Sequence, residues 1–142
     1  MGLASLNTHL THSLATPHSN AWPHGGCVTS EWVKCLSSSL EANTQSRHPP
    51  RNVSNVLPKS VMEQLFKKCT DLLVNEPTLL RLSPGADVVV NVVGDTHGQF
   101  HDVLHLLELA GEPSPTNWYV FNGDFVDRGA WGVEVLAVLM AW

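Results

Sequence analysis

Two short segments, Gly94-Asp95-Thr96-His97-Gly98 and Gly123-Asp124-Phe125-Val126-Asp127-Arg128-Gly129, each stand directly after a β-branched or aromatic run. The runs are Val88-Val89-Val90-Asn91-Val92-Val93 and Trp118-Tyr119-Val120-Phe121-Asn122. Side chains of that kind suit a buried, pleated strand, and a Gly-Asp pair suits the point where such a strand must turn. Between the turns, Phe100, Val103, Leu104, Leu107 and Ala110 fall on one helical face, Gly111 can end that helix, and Pro113 prevents its continuation. Strand, helix and strand in that order predict an α/β fold. Both polar turns then lie at the sheet edge where open α/β proteins place their chemistry.

The flanking segments read as helices. After Gly129, Trp131, Val135, Leu136, Val138 and Leu139 suit a second crossover helix. Read as far as Trp142, the pattern predicts a sheet only begun, with Val135, Leu136 and Leu139 lacking a partner layer. Upstream, Glu31–Ala42 carries Trp32, Val33, Leu36 and Leu40 at helical spacing, with Thr29 or Ser30 as N-cap. Gln45–Pro58, interrupted by Pro49, Pro50 and Pro58, reads as a loop. Ser60-Val61-Met62-Glu63 then fits a capping box opening a helix whose buried stripe is Val61, Leu65, Phe66, Cys69, Leu72 and Leu73. Ser83-Pro84-Gly85 is a turn before the first strand. Met1–Ala21 has no charged residue and none of the layout of a signal peptide, and it is expected to be a disordered tail. The division that follows is a tail over 1–21, a helical segment over 22–86 with its loop at 45–58, and an α/β unit over 87–142.

Composition narrows the partners. A net charge of −5, with only 8 Lys and Arg and no basic cluster, argues against a nucleic-acid surface. No run approaches the ~18 apolar residues of a membrane span, so no membrane contact is expected. Cys27, Cys35 and Cys69 make no C-x-x-C pair and fit reduced thiols in a nuclear or cytoplasmic setting. His9, His12, His18, His24 and His48 are expected to bind metal adventitiously at most.

The paired turns carry chemistry. Asp95 and His97, two apart at a strand end, can offer an oxygen and an imidazole to one metal ion. Asp124 would join them from the neighbouring parallel strand and can bridge two metals, while the Arg128 guanidinium suits phosphate oxygens. A competing pattern is His97, His101 and His105 at intervals of four, a workable zinc spacing. His101 and His105, however, share a polar helical face with Glu108 and Glu112, so a solvated face is the expectation there. Trp131 and Trp142 are expected to be core or docking residues.

G-D-x-H-G followed by G-D-x-V-D-R-G resembles the serine/threonine phosphoprotein phosphatase family, within the metallophosphoesterases. The resemblance is close over Val93–Trp142 and is of the plant type, with Trp22-Pro23-His24-Gly25-Gly26, Val56-Leu57-Pro58 and Asn75-Glu76-Pro77 as weaker landmarks. It implies a partial calcineurin-like sandwich, its first βαβα units preceded by a small helical segment. It also implies hydrolysis of phosphoserine or phosphothreonine in phosphoprotein substrates at a centre of two metals, drawn from manganese, iron and zinc. Asp95 and His97 resemble ligands of the first metal, Asp124 the bridging carboxylate, Arg128 the phosphate-orienting arginine, and Asp127 the acid that positions a catalytic histidine. The family's Gly-Asn-His-Glu motif, expected ~30 residues after Asp124 in a repeated βαβ unit, has no counterpart among these residues. At most one weakly held ion is therefore expected here, and the chain is expected to be an incomplete fragment. A non-catalytic truncated phosphatase acting as a binding module and a dinucleotide polyphosphate hydrolase are the alternatives. Val126-Asp127-Arg128 favours the protein phosphatase over the latter.

Overall fold

The computed structural model describes residues 20–45 and 53–142. After a 3-10 turn at His24–Gly26 the elements are α1 (Ser30–Gln45), α2 (Val53–Val56), α3 (Lys59–Leu73), β1 (Val89–Val93), α4 (Phe100–Ala110), β2 (Asn117–Phe121) and α5 (Gly132–Ala141). The expected tail lies outside the described residues except for Asn20 and Ala21. Those two are tied down: Asn20 Nδ2 donates to the Val56 carbonyl at 2.8 Å, and Trp32 Nε1 donates to the Ala21 carbonyl at 3.0 Å. The expected loop at 45–58 is likewise described only in part, and its last residues form the single turn α2.

β1 and β2 pair in parallel with Val89 opposite Asn117 and Val93 opposite Phe121. α4 is the crossover between them. It ends at Gly111, whose φ of 81° is open to glycine at little cost. Asn117, the first residue of β2, closes the same end. Its Nδ2 donates to the carbonyls of Ala110, Gly111 and Glu112 at 2.9, 3.0 and 3.0 Å, and its Oδ1 accepts from Asn91 Nδ2 at 2.8 Å. Carbonyls that a helix end would leave orphaned are thus satisfied from the sheet.

The last helix is the main departure from the expected pattern. α5 packs against α1, α3 and α4, and Val135, Ala137 and Val138 are fully buried. The partnerless face expected at Val135, Leu136 and Leu139 is therefore wrong: Val135 is core, while Leu136 and Leu139 are half-buried. A helix that is apolar on nearly every side belongs inside other helices. Around it gather Val33, Leu36 and Leu40 of α1, Val61 and Leu65 of α3, and Phe100, Val103 and Leu107 of α4. Trp131 and Trp142 pack against this core, as expected.

α3 corrects two further expectations. No capping box forms at Ser60–Glu63, because the Pro58 carbonyl already accepts the Met62 N–H at 3.2 Å and starts the helix at Lys59. Ser60 then lies inside the first turn, and Glu63 instead pairs with Lys59 at 3.5 Å. The expected stripe is covered over its first half only. Val61 and Leu65 are buried and the Cys69 thiol donates to the Met140 carbonyl at 3.5 Å, but Phe66, Leu72 and Leu73 are exposed. The strands are also less buried than expected, since Val89 and Val92 of β1 are uncovered while the helices collect on α5. No helix among the described residues is long and apolar enough to cross a membrane.

Two outcomes follow from this packing. Leu65→Ala is expected to cost about 2–5 kcal/mol in urea unfolding, whereas Leu72→Ala should stay within about 0.5 kcal/mol. Glu134 of α5 is 2% exposed and its Oε1 has no partner; burial pushes its carboxyl above the ordinary 4.5. A raised carboxyl contributes stability that is full below 4.5 and is lost as pH rises through the raised value. Glu134→Gln should therefore melt higher than the wild type at mildly alkaline pH, and the gap should close as pH falls towards 4.5.

Candidate metal centre

The segments that follow β1 and β2 are clamped to each other through their backbones. The Asp124 carbonyl accepts the N–H groups of Thr96 and His97 at 3.1 and 3.0 Å, and the Phe125 carbonyl accepts that of Gly98 at 2.8 Å. In return, Gly129 N–H donates to the His97 carbonyl at 2.7 Å and Trp131 N–H to the Gly98 carbonyl at 3.1 Å. Two chains this close leave no room for side chains at the crossing. A Cβ on Gly98 would lie 2.9 Å from the Gly129 carbonyl oxygen, and one on Gly129 would lie 2.6 Å from the Gly98 carbonyl. Thr96, buried between them, adds a hydroxyl bond to the Phe125 carbonyl at 3.2 Å.

The clamp forces unusual backbone. Among the described residues, four non-glycine residues have positive φ: His97 at 43°, Asp124 at 51°, Asp127 at 69° and Arg128 at 61°. Each belongs to one of the two turns, and three are Asp or His, which tolerate this region better than most. Asp95 and His97 do point into one site, but through this left-handed turn and not through strand alternation.

Asp95, His97 and Asp124 meet there, each offering one ligand atom, all within 4.8 Å of one another. His97 Nδ1 lies 3.1 Å from the Val126 carbonyl and 3.2 Å from Asp124 Oδ1. Both neighbours are acceptors, and so is Asp95 Oδ2, 3.4 Å from Nε2; in the tautomer that places the proton on Nδ1, the Nε2 lone pair is available to a metal. A histidine whose other N–H is held by a carbonyl is the usual second support of a metal ligand. Two carboxylates and one imidazole suit a borderline divalent ion, and the half-buried His97 sits between exposed acids open to solvent. The residues present fit a metal.

Asp127 and Arg128 stand on the exposed turn beyond Asp124, outside the three-residue donor group. Asp127 Oδ1 accepts the Arg128 N–H at 2.8 Å and so holds the left-handed turn from which the guanidinium extends. His105 faces solvent and pairs with Glu108 at 3.5 Å, as expected. His101 is exposed as well, as expected, and its Nε2 also lies 3.1 Å from Thr44 Oγ1 of α1. Thr96, the Val126 carbonyl and the Gly98–Gly129 crossing were not singled out from sequence. The two glycines were visible, but their mutual approach was not.

Gly129→Ala is expected to cost about 2 kcal/mol or more in chemical denaturation, because the clashing atoms are backbone. Gly94→Ala, with open space at its Cβ, should cost about 0.5 kcal/mol or less and serves as the control.

Residues 88–142 match the calcineurin-like phosphoesterase family. Over 128 residues the chain is 41% identical to serine/threonine-protein phosphatase 7 of Arabidopsis thaliana, covering 89% of this chain and 30% of that protein. It is 43% identical to the long form homolog of serine/threonine-protein phosphatase 7 from the same plant, over 85% of this chain and 9% of that protein. Among solved structures, a serine/threonine phosphatase from Saccharomyces cerevisiae with similarity to human phosphatase PP5 superposes with a TM-score of 0.56 and 42% identity. The superposition covers 59% of this chain and 27% of that one. The chain therefore spans under a third of the length of the relatives it matches. The left-handed Asp and His turns lie within residues 88–142, the part of this chain that matches the calcineurin-like phosphoesterase family.

Proposed function

We propose that the clamped turns form part of a metal-dependent phosphoester hydrolase centre of the serine/threonine protein phosphatase type, acting on phosphoserine or phosphothreonine in proteins. The observation that carries this reading is the convergence of Asp95, His97 and Asp124, each offering one ligand atom, within 4.8 Å. Those three residues would hold a manganese, iron or zinc ion, and the Asp124 carboxylate could also serve a second. Bound there, the ion supplies Lewis-acid stabilisation of a phosphoryl group. Arg128 would bind and orient the phosphate through its planar fork, and Asp127 fixes the backbone that presents it. The names of the plant and yeast relatives support protein substrates. Cys27, Cys35 and Cys69 are free thiols, which supports a reducing cytoplasmic or nuclear setting.

Calorimetric titration with Mn2+ tests the ligand set. Asp124→Asn is expected to weaken binding about tenfold or more and His105→Ala to leave it unchanged. Equal binding by the wild type and Asp124→Asn would refute the assignment. Grafting residues 88–142 into the corresponding segment of the Arabidopsis phosphatase 7 should preserve Mn2+-dependent turnover of a phosphothreonine peptide. Turnover should be lost when the graft carries Asp124→Asn.

A further inference from the structure

We infer that His101 is a positioning residue that braces the metal-binding turns against helix α1, which lies outside the residues matching the phosphoesterase family. The inference rests in part on the metal reading above. Thr44, in the last turn of α1, is 7% exposed and donates its single hydroxyl proton to the Glu41 carbonyl at 2.8 Å. Its oxygen can then only accept from His101 Nε2, 3.1 Å away. His101 must carry a proton on Nε2, as it does in one neutral tautomer and in the imidazolium.

The far side of the ring leads to the centre. His101 meets the Trp131 indole edge to face, with ring centres 6.4 Å apart and planes at 89°. Trp131 donates its N–H to the Gly98 carbonyl at 3.1 Å and accepts the Val135 N–H at 3.0 Å, so it closes the clamp and opens α5 at once. Gly98 directly follows His97, and His97 takes the Gly129 N–H. A continuous path thus runs from Thr44 through His101 and Trp131 to the turn that aims His97. It also occupies Nε2 of His101, which joins no three-donor group among the described residues.

The test uses the full chain with Thr44→Val, His101→Leu and His101→Gln. Gln places an N–H donor near the position of Nε2, so it should rescue. Two readouts are taken, Mn2+ affinity by spin resonance of the free ion and hydrogen exchange at the Trp131 amide. Thr44→Val and His101→Leu are each expected to weaken Mn2+ about threefold and to speed that exchange. The double variant should be no worse than either single, and His101→Gln should return both readouts to wild type. An unchanged Trp131 amide in His101→Leu, or no rescue by Gln, would overturn the inference even if both variants melt lower. If the wild type bound Mn2+ no better than Asp124→Asn, the metal reading would fall, and the exchange measurement alone would decide the role of His101.

Discussion

The passage of one backbone across another at Gly98 and Gly129 is the constraint on which the rest of this molecule depends. Without side chains at the crossing, the two turns exchange hydrogen bonds in both directions and become one rigid unit. The left-handed conformations of His97, Asp124, Asp127 and Arg128 follow from that unit. Such backbone costs of order 1 kcal/mol or more per residue and persists only where surrounding structure over-determines it. All four fall at the candidate centre, and three of them carry groups that can bind metal or phosphate.

The strain is offset by the helices. α5 leaves the clamp at Trp131 and enters a core shared with α1, α3 and α4, so the end of the second turn is anchored in buried apolar contacts within a few residues. The helical segment before β1 is for this reason more than a leader to the sheet. It supplies Val33, Leu36, Leu40, Val61 and Leu65 to the surroundings of α5.

What the sequence made legible was local and periodic. The βαβ order, the end of α4 at Gly111 and the meeting of Asp95, His97 and Asp124 all rest on spacing and residue type, which one strand or helix expresses by itself. The misreadings arose where a second element decides. Pro58 starts α3 ahead of Ser60, a choice between neighbouring caps that a motif does not rank. Phe66, Leu72 and Leu73 keep helical periodicity yet are exposed, because periodicity marks a helix face without telling what covers it. His101 is exposed as its own helix suggested, but its contact with Thr44 was not visible, because Thr44 lies 57 positions away in the chain. Glu134 sits among apolar residues with no local mark of burial, and only the packing of three helices around α5 encloses it.

Asn117 has a consequence for how such a unit can vary. One side chain amide both finishes α4 and fixes the first residue of β2 opposite Val89. Helix end and strand register are therefore fastened together, and with them the separation of the two turns. The residues between Glu112 and Asn117 have to return the Asn117 amide to the same three carbonyls. An added or deleted residue there would slide β2 along β1, turn its alternate faces over, and carry Asp124 away from Asp95. The amide works as a ruler for the length of this connection.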